Sequence, residues 1–340
     1  MTSKTIDNIV WFIPSRKLRD NIRDFMHFIY NLNKPLKAWD GATHFRKDIK
    51  NDANFYQKYL NLIKNLDKES VEIVIGILSK ITNYNNIEDD IYFSRKESKR
   101  LNDLYEEFNN KIIKINEELF IYDKYILPEN NFELEAFYEK YGMDYIKNIN
   151  QVKNKNIIDA GGYIGDSAIL FSDYTDKNVY SFEPFLHHYN MMLKTIELNK
   201  KNNIIPVNMA LGNENKEISI YSNSDTANSG LSIETKQSDI NCIENKVKMV
   251  TLDSYVKENN IEVGLIKTDL EGFEQSFLKG ALETIKEQKP VLIISIYHNY
   301  SDFFEIKPMI ENFNLGYKFK IIEPKYQGAA IVSTLLLAEV

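Results

Sequence analysis

Two rhythms of apolar and polar residues divide the chain near residue 150. Before that point the spacing is mostly helical. In "SRKLRDNIRDFMHFIYNL" Leu18, Ile22, Phe25, Met26 and Ile29 fall on one face. "NFYQKYLNLIKNL" repeats that pattern, and in "DKESVEIVIGILSKI" Asp67 stands as an N-cap before an apolar run. "SRKESKRLNDLYEEFNNKIIKI" reads as one long charged helix, "LFIYDKYILP" as one or two short strands, and "NFELEAFYEKYG" as a helix closed by Gly142. From residue 156 short apolar runs and amphipathic stretches alternate. "NIIDA", "VYSFEP", "NIIPVNMAL", "VGLIKTDL" and "PVLIISIYHN" read as core strands. "EISIY" and "KVKMVTLD" read as extra strands around a polar loop, Ser222 to Ser232. "FLHHYNMMLKTIELNKK", "FEQSFLKGALETIKEQ" and "FFEIKPMIENF" read as the helices between. Such alternation predicts an α/β fold with a parallel sheet covered on both sides. "YKFKIIEP" and "STLLLAEV" leave no room for a helix between them and predict an antiparallel pair at one edge.

The densest chemistry lies in "NIIDAGGYIGDSAIL". Gly161, Gly162 and Gly165 crowd the first strand-to-helix turn, in a chain with only 13 glycines. In open parallel sheets ligands bind beyond the carboxyl ends of the strands, where strand order reverses. Glycines there allow tight geometry and close approach. Asp159 ends the first strand, and Glu183 ends the second, placed to accept hydrogen bonds from ribose hydroxyls. The turn reads D-x-G-G-x-x-G, so the dinucleotide fingerprint G-x-G-x-x-G is absent. An acid just ahead of the loop would oppose a pyrophosphate. It would suit a cationic or zwitterionic ligand, and S-adenosylmethionine accounts for the glycines and both acids together.

A second cluster, "GLIKTDLEGFEQSFLKGA", places Asp269 at the end of the fourth core strand, followed by Glu271 and Glu274. Acids near a helix start are favoured by the helix dipole, the simpler account of Glu274. His298 ends the neighbouring strand, whereas His187 and His188 fall early in a helix as surface or packing residues. For attack by a hydroxyl on a methyl group, a base within hydrogen-bond reach is expected, and Asp269, Glu271 and His298 are the candidates. The acids would alternatively hold a divalent metal, a choice the sequence leaves open.

Composition trims the alternatives. Hydrophobic residues make up 43% of 340, enough for a sizeable core. Forty-two basic and 49 acidic residues give a net charge of −7, which argues against a nucleic-acid binder. The single cysteine, Cys242, suits a reducing cytoplasm. Five histidines show no zinc-ligand spacing. "NIVWFIP" is too short for a signal peptide, and "GAAIVSTLLLAEV" is too short to span a bilayer. A cytoplasmic protein without a transmembrane segment is the expectation.

Taken together, "IIDAGGYIGDSAILF", "VYSFEP", "NMALGNENKEISIY", "VKMVTLDSYV", "LIKTDLEGFEQSFLKGA" and "KPVLIISIYHN" resemble, in order and spacing, the FkbM-type methyltransferases. The resemblance runs from Lys155 to His298 and more loosely to the end. It implies a class I methyltransferase (Rossmann-like) fold with a seven-stranded sheet in the order 3-2-1-4-5-7-6. It also implies S-adenosylmethionine as donor, usually O-methylation, and an association with bacterial surface glycans or secondary metabolites. Carried over, it puts Asp159, Gly161, Gly162, Tyr163 and Gly165 in the cofactor loop, Glu183 on the ribose, and Asn208 and Met209 near the adenine. Lys267, Asp269, Glu271 and Glu274 form its K-x-D-x-E-G-x-E segment. Where the family is commonly acidic at the end of the fifth strand, this chain has Ser295 and Tyr297, which shifts weight to His298.

The expected organisation is a mainly helical N-terminal region over 1–115, a connecting segment over 116–150, and a methyltransferase domain over 151–340. Arg16, Lys17, Arg19 and Arg23 read as a solvated helix face, or as a docking surface for a homo-oligomer, a glycan-assembly partner or an anionic sugar. "NIVWFIPSRKLRDNIR" resembles the opening of some bacterial glycan-assembly proteins over a short stretch. The expected function is methylation of a sugar hydroxyl in a glycan or related metabolite. A nicotinamide-dependent oxidoreductase and a non-catalytic scaffold are the alternatives.

Overall fold

The buried strands are those without polar alternation. All six residues of Val263–Thr268 and all five of Val291–Ser295 are buried, as a sheet covered on both faces requires. The computed structural model describes residues 11, 16, 19, 22, 37–39, 42–82, 91–92, 94–222, 232–233, 243–323 and 333–340. Of the expected helix carrying Leu18 to Ile29 only Arg19 and Ile22 are described, both helical; its other residues, most of the Ser222 to Ser232 loop, Lys17, Arg23 and Cys242 lie outside the described residues.

The central sheet has seven strands: β1 (Asn156–Ala160), β2 (Val179–Phe182), β3 (Ile204–Val207), β4 (Val263–Thr268), β5 (Val291–Ser295), β6 (Lys318–Ile322) and β7 (Leu335–Glu339). Their spatial order is β3-β2-β1-β4-β5-β7-β6. The pairs from β3 to β5 are parallel, and β7 runs antiparallel to both its neighbours. The sheet is therefore a mixed seven-stranded α/β sheet. Its order reverses between β1 and β4, so the crevice opens where the glycine turn and Asp269 face each other.

On the N-terminal side, α1 (Ala42–Asn51), α2 (Phe55–Ile63), α3 (Lys68–Thr82) and α4 (Arg95–Asn109) come first. Asp67 caps α3 as expected, accepting from the Ser70 amide. After β1 follow α5 (Asp166–Phe171), α6 (Leu186–Leu198), α7 (Leu252–Asn259), α8 (Glu274–Gly280), α9 (Leu282–Gln288) and α10 (Tyr300–Glu311). The two-residue period of the strands sorts their side chains into two cores. Ile158, Ile266, Leu292 and Ile294 face one, and Ile157, Leu265 and Ile293 the other.

The first core also takes Phe45, Leu62, Val74, Ile77, Leu78 and Ile81 from α1 to α3. At roughly 1.5–3 kcal/mol each, these six side chains contribute on the order of 10 kcal/mol of gross burial. That is comparable to the net stability of a whole domain, so these helices form part of the sheet's own core. Polar ties reinforce the contact: Ile321 N–H of β6 donates to Ser70 Oγ at 2.9 Å.

Several boundaries differ from the sequence reading. The helix predicted through "KIIKI" stops at Asn109, and Ile113–Asn116 opens a three-stranded meander with Leu119–Tyr122 and Tyr125–Leu127. "NIIPVNMAL" divides between β3 and Ala210–Leu211, which joins a separate four-stranded sheet with Lys216–Ser222, Ser232–Ile233 and Ile243–Val250. "TLDSYVKEN" yields α7, where Thr251 caps the first turn by accepting from Ser254 N–H. "FEQSFLKGALETIKEQ" makes two helices that break at Ala281 (φ −113°, ψ 4°), next to Gly280, which packs against the Gly212 carbonyl too closely for any side chain. "NFELEAFYEKYG" breaks into Leu134–Phe137 and a 3₁₀ turn, with Tyr141 and Gly142 both at positive φ.

Candidate active site

The glycine turn and the end of β4 touch. Gly161 has φ +84°, and a Cβ there would sit inside the van der Waals shell of the Asp269 carbonyl oxygen. A Cβ on Gly162 would collide with Ser181 Oγ of β2. Gly161 and Gly162 are thus required by contact with neighbouring strand ends, and Gly165 by its φ of +88° and by Met192 packed against it. Across the crevice, Glu271 (φ +53°) and Gly272 (φ +94°) turn the chain sharply after Asp269.

Beyond these strand ends lie two cavities. The larger, about 290 Å³, is lined by Glu133, Tyr141, Asp166, Lys267, Tyr297 and neighbouring residues. The smaller, about 210 Å³, is mostly apolar, with Pro184, Phe185, Met209, Leu211, Leu270 and Phe273 in its wall. Gly161, Glu183, Asp269 and Glu271 border both. Glu183 is 5% exposed and held by two amides: Tyr163 N–H donates to Oε2 at 3.0 Å and Phe185 N–H to Oε1 at 2.8 Å.

Asp159 does not reach either cavity. It is fully buried beneath the loop, where Oδ2 accepts from Ser167 Oγ at 2.8 Å and Ser181 Oγ at 2.7 Å. Its Oδ1 lies 3.3 Å from Lys267 Nζ, which donates to the Gly161 carbonyl at 2.8 Å. Burial works against the Lys267 ammonium, but Asp159, Asp269 and Asp166 outweigh it and hold the group above its ordinary range. Asp159 and Lys267 therefore clamp the loop from below.

His298 also stands behind the cavity wall. Nδ1 lies 3.1 Å from Glu274 Oε1, and Nε2 lies 3.2 Å from Asp269 Oδ1. Desolvation opposes its charge, but the bonds to Asp269 and then Glu274 prevail and push its pKa up to about 11. For Asp269, burial acts upward, yet His298 holds the carboxyl well below its usual range. Tyr297 O–H adds a hydrogen bond to Asp269 Oδ1 at 3.1 Å. The imidazolium, protonated on both nitrogens with a carboxylate at ion-pair distance from each, has no lone pair to act as a base at neutral pH. Glu271 differs: burial, opposed by His298, raises its carboxyl. Glu274 is more than a helix-start acid: it is fully buried and also accepts from Leu270 N–H at 2.7 Å. Asp269, Glu274 and His298 each bring one ligand atom within 4.8 Å of the others, the geometry a divalent ion would also need.

Of the residues predicted from sequence, Gly161, Tyr163, Glu183, Asp269, Glu271 and Met209 meet at the cavities. Asp159 supports from behind. Asn208 instead donates to the carbonyls of Glu183 and Pro184, at 2.9 and 3.1 Å. Glu133, Tyr141, Asp166 and His188 line the larger cavity without having been predicted. Glu133 and Tyr141 come from a segment with no local signal. Asp166 directly follows Gly165, and its burial is what the sequence hid.

Residues 159–319 match the family model described as the methyltransferase FkbM domain. The fold is similar to that of the methyltransferase FkbM from Methylobacillus flagellatus, with a TM-score of 0.54 and 16% identity over 86% of this chain. The chain spans only 60% of that protein's length. A putative methyltransferase from Streptococcus mutans in complex with SAH aligns at TM-score 0.34 and 14% identity, over 59% of this chain and 96% of that one. A putative O-methyltransferase from Klebsiella pneumoniae aligns at 0.37 and 11%, over 63% and 83%. No curated protein matches the chain. No described helix is long and apolar enough to cross a membrane. The glycine turn, the acidic crevice and the match to the methyltransferase FkbM domain model, residues 159–319, fall on the same strands.

Proposed function

We propose that the chain is an S-adenosylmethionine-dependent O-methyltransferase acting on a hydroxyl of a sugar, in a bacterial surface glycan or a related metabolite. One observation carries the cofactor reading: the buried Glu183 carboxylate stands on the wall shared by an apolar recess and an acid-lined cavity. That order of surfaces matches an adenine, a ribose and a cationic amino-acid end. Pro184, Phe185, Met209 and Phe273 would flank the adenine, and Glu183 would accept from the ribose hydroxyls. S-adenosylmethionine, when bound, supplies an electrophilic methyl group on sulfur. Glu133, Asp166, Asp269 and Glu271 crowd the larger cavity, an arrangement that disfavours the pyrophosphate of a nicotinamide dinucleotide.

On the acceptor side, Glu271 is the carboxylate suited to take the hydroxyl proton, since His298 and Asp269 are held as a closed ion pair. Asp269 and Tyr297 would orient the acceptor rather than deprotonate it. The sugar as acceptor is supported by the resemblance to FkbM-type enzymes and by the polar cavity wall, where Asn131 and Tyr297 offer hydrogen bonds.

Calorimetric titration with S-adenosylhomocysteine is the test. Wild-type protein is expected to bind it in preference to NADH. Glu183→Ala should weaken it about 10- to 100-fold, the worth of hydrogen bonds to a buried charged group. Preference for NADH, or unchanged affinity in the variant, would overturn the reading. Binding of neither ligand would favour a scaffold role.

A further inference from the structure

Five carboxylates line the larger cavity: Glu133, Asp166, Glu183, Asp269 and Glu271. Four of them have company. Glu183 accepts from two backbone amides, and Asp166 from its own. Asp269 is tied to His298 and Tyr297, and Glu271 lies 3.9 Å from His298. The Glu133 side chain, among the described residues, has neither a hydrogen bond nor an ion pair, and it does not cap the short helix that it precedes. Lys267, the cation on the same lining, is engaged by Asp159 and the Gly161 carbonyl. Glu133 stands at the mouth. The residue as a whole is exposed, whereas its carboxyl is enclosed enough that burial, and then Asp269, raise its pKa, with Lys267 opposing. Asp269 and Glu271 are the acids it faces, on the acceptor's side of the cavity. Two more polar groups of this lining have no hydrogen-bond partner among the described residues: Asn131 Nδ2, and Nδ1 of His188, a residue 4% exposed. The lining is thus short of a cation and of hydrogen-bonding groups, and a ligand entering from solvent is what would bring both.

We propose that the acceptor is an amine-bearing sugar and that Glu133 receives its ammonium beside the hydroxyl to be methylated. The assignment rests on the sugar O-methyltransferase reading and narrows its acceptor to the hexosamine class. Glu133 lies outside both the glycine turn and the matched stretch, residues 159–319. A group that selects this chain's own acceptor is expected there, rather than one that holds a donor shared across the family. An amine paired with Glu133 stays protonated. Its nitrogen then has no lone pair, so the hydroxyl oxygen is the nucleophile. That oxygen takes the methyl group, sulfur keeps the electron pair of the broken bond, and the hydroxyl proton passes to Glu271. A sugar carrying a carboxylate would meet the field of the five acids unfavourably.

The test is methyl transfer from S-adenosylmethionine to D-glucosamine and D-galactosamine, to their N-acetyl derivatives, and to D-glucuronate. For wild-type protein kcat/KM on the two amines is expected to exceed that on the N-acetyl sugars by about 10-fold or more, as a charge-assisted hydrogen bond would give. Glucuronate should come last, and mass spectrometry should find the methyl group on oxygen. Glu133→Gln should raise KM for the amines by a similar factor with kcat little changed. Its calorimetric Kd for S-adenosylhomocysteine should move by less than about threefold. Preference for the N-acetyl sugars or for glucuronate, an N-methylated product, or transfer to none of these sugars by protein that binds S-adenosylhomocysteine would overturn the assignment. So would a loss of S-adenosylhomocysteine affinity in Glu133→Gln as large as the loss for the amines, which would give Glu133 to the donor. The wild-type preference decides the matter if the variant fails to fold. Should wild-type protein not bind S-adenosylhomocysteine at all, the methyltransferase reading itself fails, a result distinct from those above.

Discussion

At His298 the same side chain changes meaning between sequence and structure. As the histidine at a strand end it reads as a base; clamped between Asp269 and Glu274 it is a charged strut. The linkage sign follows from its raised pKa. The stability it contributes is complete below the ordinary histidine pKa of 6.5 and is lost as pH rises toward about 11. Across neutral pH the folded protein keeps the proton. Glu274→Gln removes one acceptor charge and should bring the His298 pKa down by at least one unit, read from imidazole nitrogen shifts in NMR. A wild-type ring found neutral at pH 8 would contradict the clamp. Movement of that signal on adding magnesium would favour a metal in its place.

The helices are held by contacts that no single helix encodes. Lys307 of α10 is fully buried and donates to the carbonyls of Asn61 and Lys64 at the end of α2, while pairing with Glu311 at 2.8 Å. Withdrawal from water lowers its pKa, with Glu311 acting in the other direction. One ammonium thus satisfies carbonyls that the end of α2 leaves open. Lys307→Met keeps the apolar stem and removes those bonds. It should cost about 1–3 kcal/mol in denaturant unfolding, and limited proteolysis should cut near Ile63 and Lys64 before it cuts the sheet. An unchanged midpoint would show that apolar burial alone fixes α2.

Across the whole molecule, carboxyls raised by burial gather at one end of the sheet. Asp166 is pushed to about 7, and Glu133 and Glu271 are also raised, in each case by burial first. An acid whose pKa rises on folding binds its proton more tightly folded, so stability falls as pH climbs through the interval. His298 acts in the same sense above pH 6.5. The ligand-free protein should therefore melt at a lower temperature at pH 8 than at pH 6, by roughly 3–6 °C. Saturating S-adenosylhomocysteine should narrow the gap by partnering the crevice acids. A higher melting temperature at pH 8 would mean that the crevice acids do not govern this range.

By itself the sequence determined the alternation of strands and helices, because unbroken apolar runs bounded by glycine and charge leave few other ways to bury them. It also pointed to the ends of β1, β2 and β4 as the candidate site, since Gly161, Glu183 and Asp269 stand in short local motifs, and all three line the same cavity. Only the tertiary structure decided what each acid does. Asp159 and Asp166 lie seven positions apart in one turn, yet one is buried beneath the loop against two serines and the other lines the cavity. Glu133 and Tyr141 enter the site from a segment whose pattern predicts a plain helix. Burial and charge partners are properties of residues distant in the chain, and they set whether a carboxylate braces the loop, binds a cation or takes a proton.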